Sequence, residues 1–137
     1  MKVTVLGAGA WGSCLAKLLH ESGNEVTLWA HNAKRLARLA KTGVSEPYLS
    51  GVELPTDWRT EADLQKAAAE AETLVIAVAS KAFRTVTAHL PDFRGMAVTC
   101  SKGIEFDTGL TMSGILEETM PRARVAAMSG PCPVCDR

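Results

Sequence analysis

Gly7-Ala8-Gly9-Ala10-Trp11-Gly12 is the stretch of this sequence whose residue types and spacing come nearest to a ligand-binding device. A Gly-x-Gly-x-x-Gly string carries little weight alone. Here it follows a short apolar run, Val3 to Leu6, and opens a segment with helical spacing, the context that gives such a string meaning. Gly7 permits a tight turn, Gly9 lets backbone approach a pyrophosphate with no Cβ between, and Gly12 lets the helix pack close to the strand. The helix N-terminus then offers unpaired N–H groups and partial positive charge to phosphates. The expected ligand is a dinucleotide, NAD or NADP.

The end of the next strand bears on which of the two. An acid near Ala30 to Asn32 would bind both ribose hydroxyls of NAD and repel the additional phosphate of NADP. Neither Asp nor Glu stands there. His31 can donate to a 2′-phosphate, protonating more readily beside that charge, and Lys34 and Arg35 open the following helix. NADP is therefore permitted, while a merely solvated His31 would leave the choice loose. Lys102 is the second candidate, because an ammonium beyond a strand end can hold a phosphate or polarise a carbonyl oxygen as negative charge develops on it. Glu105, three residues on, either orients that ammonium or caps the following turn, and the structural role is favoured.

The elements that position these residues follow from periodicity. Val3 to Leu6 reads as a strand, with its start at Lys2, and Trp11 to Ser22 as a helix with Leu15, Leu18 and Leu19 on one side and a stop at Gly23. Glu25 to Ala30 is a second strand and Ala33 to Lys41 a second helix. Thr42 to Asp57, rich in Gly, Pro and Ser, is an excursion of the kind that often carries function. Glu61 to Ala71 reads as helix, Thr73 to Val78 as a strand covered on both faces, Phe83 to Leu90 as helix, Met96 to Cys100 as strand, Leu110 to Met120 as helix and Val125 to Met128 as a last short strand. This alternation predicts an α/β fold: a Rossmann-type doubly wound parallel sheet with helices on both faces. The loops after Leu6, Ala30, Val78, Cys100 and Met128 then converge on one edge.

Bulk properties agree. At 137 residues the chain is one ordinary domain, and 47% hydrophobic with 22% charged residues is globular composition. Fifteen basic and fifteen acidic side chains cancel, and Lys34, Arg35, Arg38 and Lys41 are spaced as one solvated helix face, so no nucleic-acid surface is indicated. Apolar runs are far shorter than a membrane span requires, and a strand starting at Lys2 leaves no room for a secretion signal, so a cytoplasmic location is expected. Cys14 and Cys100 fall in apolar segments and read as buried thiols rather than parts of a disulfide framework.

Four stretches in order, "GAGAWG", "YLSGVELP" at Tyr48 to Pro55, "SKGIE" at Ser101 to Glu105 and "SGP" at Ser129 to Pro131, resemble the bacterial NAD(P)-dependent glycerol-3-phosphate dehydrogenase family. The resemblance covers residues 1 to about 131. It implies an enzyme that reduces dihydroxyacetone phosphate to glycerol 3-phosphate, a phospholipid precursor, by hydride transfer from NADH or NADPH. It further implies that Trp11 and the amides around Ala10 touch the dinucleotide and that His31 sits by the adenosine ribose. Lys102 would lie beside both nicotinamide and substrate, and the Gly130 backbone would approach the substrate. Ser80 falls where the family usually has Val-Pro-Ser, with Ala79 in place of the proline.

The departures lie at the end. The family continues past Ser-Gly-Pro, completes its sheet and adds a helical domain that holds its presumed proton-donor lysine and its phosphate-gripping arginine and asparagine. This sequence gives Cys132-Pro133-Val134-Cys135-Asp136-Arg137. The expected organisation is therefore an incomplete NAD(P)-binding domain over residues 1–131 and a divergent tail over 132–137, with coenzyme binding but no turnover. Cys132 and Cys135 resemble half a zinc site or a redox pair, but His20, His31 and His89 are remote in sequence, so no metal is expected. Two alternatives stay open: a non-enzymatic dinucleotide-binding or redox-sensing module, and a related reductase of another keto or phospho substrate. A sheet without its final strands would leave Val125 to Met128 as an edge able to pair with a second copy as a homodimer.

Overall fold

The computed structural model describes residues 1–45 and 49–129. Tyr48, in the excursion from Thr42 to Asp57, Gly130, and the 132–137 tail with Cys132 and Cys135 lie outside the described residues. The described chain forms one six-stranded parallel sheet in the order β3-β2-β1-β4-β5-β6. The elements are β1 (Lys2–Leu6), α1 (Ala10–Glu21), β2 (Glu25–Trp29), α2 (Ala33–Thr42), β3 (Arg59–Glu61), α3 (Leu64–Ala68), β4 (Thr73–Ile76), α4 (Ser80–Thr87), β5 (Met96–Thr99), α5 (Met112–Thr119) and β6 (Arg124–Ala127). This is the doubly wound order expected of alternating β and α segments, and its direction of winding reverses between β1 and β4.

Each central strand is apolar on both faces because each face meets its own layer of helices. Val3 and Val5 of β1, Val26 and Leu28 of β2 and Val75 of β4 pack with Leu15 of α1 and Leu36 and Leu39 of α2. Leu6, Leu74 and Ile76 point the other way, into Phe83 of α4, Ile115 and Leu116 of α5 and Ala67 and Ala68 of α3. A continuous run such as Thr73 to Ile76 therefore carries no alternation to read. The buried Thr4 hydroxyl is satisfied by donating to the Ala67 carbonyl oxygen at 2.6 Å.

Three elements differ from the sequence reading. Glu61 belongs to a strand, β3, whose residues Arg59, Thr60 and Glu61 pair with Thr27, Leu28 and Trp29. Its three residues hold no apolar run, and it forms because β2 presents a free edge while Leu54 and Trp58 are buried just before it. The Trp29 indole N–H, donating to the Ala62 carbonyl oxygen at 2.9 Å, secures the far end. Helix α3 is accordingly shortened from Glu61–Ala71 to Leu64–Ala68, with the Asp63 side chain accepting from the Lys66 N–H at 3.0 Å as its cap. Helix α4 starts at Ser80 rather than Phe83; Ser80, Lys81 and Ala82 are exposed, so the apolar period begins three residues into the helix. Among the described strands β6 is at the sheet edge, paired with β5.

Phe83 is fully buried at the centre of the α3–α4–α5 layer. Phe83→Ala is expected to lower the unfolding free energy by about 3–5 kcal/mol, checked by urea denaturation with the slope unchanged.

Candidate functional site

At the carboxyl edge of the sheet the chain turns sharply between β1 and α1. Gly7 adopts a positive φ of 118°, its N–H donating to the Trp29 carbonyl oxygen at 2.9 Å. A Cβ there would stand 2.6 Å from the Ala77 carbonyl oxygen, and one at Gly12 would stand 1.8 Å from that of Gly7. Both glycines are thus required by backbone packed against backbone. Gly9 is different: its φ of −75° suits any residue, and a Cβ built there meets nothing within 4 Å. The fold does not need a glycine at Gly9, but a group lying against the turn would.

Helix α1 begins immediately after Gly9. Among the described residues no side chain caps it and its first turn holds no acid. Its first N–H groups therefore face the open space beside Gly9 with their positive end uncompensated. That space continues into a hollow of about 660 Å³, within the range of small-molecule and cofactor sites. Gly7, Ala8 and Gly9 line it together with Ala77, Val78 and Ala79 of the adjoining β4–α4 connection. At its far end stand His31, Asn32, Arg35 and Arg38, with Leu36, Leu39 and Val86 supplying apolar wall. A phosphate-bearing ligand with a flat apolar ring system fits this arrangement: amides and an open cradle at the centre, cations and apolar surface at one end.

Of the residues singled out in the sequence, Gly7, Gly9 and His31 are in this wall. Ala10, Trp11 and Gly12 belong to the first turn of α1 behind it, with Trp11 55% exposed. Lys34 is exposed and stands outside the wall, whereas Arg38, read from the sequence as part of a solvated face, is in it beside Arg35. Arg35 and Arg38 are one turn apart, a spacing visible in the sequence, but only the placement of α2 against the end of β2 shows which cations reach the hollow. The loop after Val78 was expected at this edge, but Ala77 to Ala79 were not singled out as site residues; they become part of the site because β4 lies next to β1.

Lys102 is exposed on the connection from β5 to α5, at the same sheet edge, and makes no hydrogen bond or ion pair with a described residue. Its neighbours are firmly held. The Ser101 hydroxyl donates to the Val78 carbonyl oxygen at 2.5 Å. Glu105 does not reach for Lys102; its carboxylate accepts from Arg84 Nε and Nη2 at 2.7 and 2.8 Å and from the Thr108 hydroxyl at 2.5 Å. The Arg84 guanidinium first, then Thr108, hold the Glu105 carboxyl at about 2, well below its ordinary 4.5. Cys100 is buried, which raises its thiol pKa, and Cys14 is half-buried; both are free. Among the described residues no three His, Cys, Asp or Glu side chains are grouped to hold a metal ion.

Residues 2–133 match the family described as NAD-dependent glycerol-3-phosphate dehydrogenase N-terminus. The chain is 41% identical over 137 aligned residues to the glycerol-3-phosphate dehydrogenase [NAD(P)+] of Lysinibacillus sphaericus and 38% identical over 136 to that of Bacillus subtilis. Each alignment covers 95% of this chain but only 40% and 39% of the relative, so the chain spans about two-fifths of the length of the curated relatives it matches. Among solved structures, the glycerol-3-phosphate dehydrogenase of Coxiella burnetii superimposes with a TM-score of 0.85 at 24% identity, over 95% of this chain and 41% of that one. That likeness concerns the fold.

Two expectations arise from this geometry. Gly9→Ala has room in the folded chain and is expected to shift stability by less than about 1 kcal/mol while weakening dinucleotide binding at least about tenfold. Gly12→Ala is expected to cost at least about 2 kcal/mol of stability; thermal unfolding and calorimetric titration separate the two. Because the folded pKa of Glu105 is depressed, its contribution to stability is present above about 4.5 and fades as pH falls toward about 2. The melting temperature of Glu105→Gln is therefore expected to fall less steeply than the parent's across that window.

Proposed function

The chain belongs to the NAD-dependent glycerol-3-phosphate dehydrogenase family, corresponding to its N-terminal portion, and from that premise we propose that it is the coenzyme-binding part of an enzyme interconverting dihydroxyacetone phosphate and glycerol 3-phosphate. The observation that carries this reading is Gly9, a glycine the fold leaves optional, at the open start of an uncapped helix and at the point where the winding of the sheet reverses. Ligands of doubly wound sheets bind at that point.

In this reading the first-turn amides around Ala10 and Trp11 hold the pyrophosphate of NAD or NADP, and Gly7, Gly9 and Gly12 let it come close. His31 lies at the adenosine end, where Arg35 and Arg38 favour the additional phosphate of NADP. The bound dinucleotide supplies or accepts a hydride. Lys102, the exposed cation on the β5–α5 connection, reaches toward the nicotinamide and the substrate, and its ammonium stabilises the negative charge that develops on the carbonyl oxygen as the carbonyl carbon receives the hydride. Gly130 approaches the substrate through its backbone.

The proton that completes the reduction, and the grip on the substrate phosphate, are assigned to residues beyond the portion of the relatives that this chain spans. Residues 1–131 thus act as the NAD(P)-binding unit and 132–137 as a divergent tail, with coenzyme bound and no turnover by this chain alone. A supply of glycerol 3-phosphate for phospholipid synthesis and a cytoplasmic location go with this activity, and the free thiols of Cys14 and Cys100 accord with that compartment. The β6 edge offers a pairing surface for a homodimer. No described helix is long and apolar enough to cross a membrane.

Titration of the folded 137-residue chain with NADPH and NADH tests the reading. Saturable binding below about 1 mM, with NADPH the tighter, is expected, together with no oxidation of either coenzyme when dihydroxyacetone phosphate is added. A folded chain that binds neither coenzyme overturns the assignment.

A further inference from the structure

Among the described residues Lys102 has no side-chain partner to aim it, so its direction depends on the backbone of residues 100–111. That connection is long and polar, and on exposure alone it would wander; Ile104 is 66% and Phe106 99% exposed. It is nevertheless closed on itself and tied to both neighbouring helices. The Glu105 N–H donates to the Leu110 carbonyl oxygen and the Gly109 N–H to that of Glu105, both at 2.8 Å, and Ile104 bridges to Thr111. Gly103, at a positive φ of 129°, brings its Cα side against Ser80 at the start of α4, where a Cβ would be 3.3 Å from that of Ser80.

The Ser101 hydroxyl ties the start of this loop to the Val78 carbonyl oxygen, and Arg84 fastens its closed part to the neighbouring helices. Arg84, on α4, spends Nε and Nη2 on the two oxygens of Glu105 at 2.7 and 2.8 Å and Nη1 on Glu118 of α5 at 2.9 Å. The fork is planar, so gripping two carboxylates at once fixes the loop in direction as well as distance, which a lysine's single ammonium cannot do. Exposed ion pairs contribute little to stability, and the Arg84 side chain is 35% exposed. The use of such a clamp is geometric: it stands three residues from Lys102 and on the helix whose first turn borders the hollow.

We propose that Arg84 is a positioning residue, acting through Glu105 to hold the 101–110 loop so that Lys102 faces the nicotinamide end of the bound coenzyme. The proposal rests on the dinucleotide reading above. It predicts that Arg84 matters only to the part of the ligand that Lys102 touches.

The test compares NADPH with 2′-phospho-ADP-ribose, which lacks the nicotinamide, on the full 137-residue chain and on Lys102→Ala, Arg84→Gln, Arg84→Lys, Glu105→Gln and the Arg84→Gln/Lys102→Ala pair. Circular dichroism identifies any variant that does not fold, and Arg84→Lys, the mildest change, stands in for one that fails. Arg84→Gln and Glu105→Gln are expected to weaken NADPH about threefold to tenfold, Arg84→Lys less, and all to leave 2′-phospho-ADP-ribose unchanged; the pair is expected to be no weaker than Lys102→Ala alone. Equal loss for both ligands, no loss for either, or additive losses in the pair overturns the role of Arg84. Failure of the parent chain to bind either ligand removes the dinucleotide reading itself, a result distinct from these.

Discussion

The turn from β1 into α1 works by contact of backbone with backbone. The peptide at Gly7 stands against the end of β4 at Ala77, and Gly12 stands against Gly7, at distances that no side chain tolerates. Because of this, α1 begins at the crevice between β1 and β4 rather than a turn away from it, and its uncapped start follows directly on Gly9 in the wall of the hollow. The rest of the arrangement depends on that closeness. A helix displaced by one Cβ radius would separate its first-turn amides from Ala77 to Ala79.

The two-layer core supports that contact without taking part in it. Strands β1, β2 and β4 send alternate side chains into opposite helical layers, so the sheet is clamped from both sides where the crevice opens. Edge elements have looser requirements. β3 is three residues long and gains its place by pairing with β2 and by the indole N–H of Trp29, and it brings the buried Leu54 and Trp58 back onto the core after the excursion. Trp29 thus does double duty: its side chain anchors β3, while its carbonyl oxygen receives the Gly7 N–H.

Charge is distributed by the same division between the rigid crevice and the connections around it. His31, Arg35 and Arg38 ride on the start of α2 at one end of the hollow, and Lys102 on the β5–α5 connection. The crevice between them is lined by glycine and alanine backbone, which presents amides and little else. An extended anionic ligand laid across the carboxyl edge meets amides at its centre, where distances are fixed by the fold. It meets long cationic side chains toward its ends, where reach and adjustment matter more.

The order of strands and helices apart from β3, the parallel sheet, the glycine turn and the family resemblance were legible in the sequence. Each rests on local spacing: apolar runs, helical period, and glycines at fixed offsets after a strand. The start of α4 and the length of α3 were misread for the converse reason. Ser80 to Ala82 are helical yet exposed, and Glu61 is alanine-helix in composition yet held in a ladder by Trp29. Tertiary structure alone decided that Arg38 rather than Lys34 reaches the hollow, that Ala77 to Ala79 line it, and that Glu105 belongs to Arg84. Those facts follow from which strands are neighbours and which helix face turns inward, and pairing between residues distant in the chain leaves no periodic trace along it.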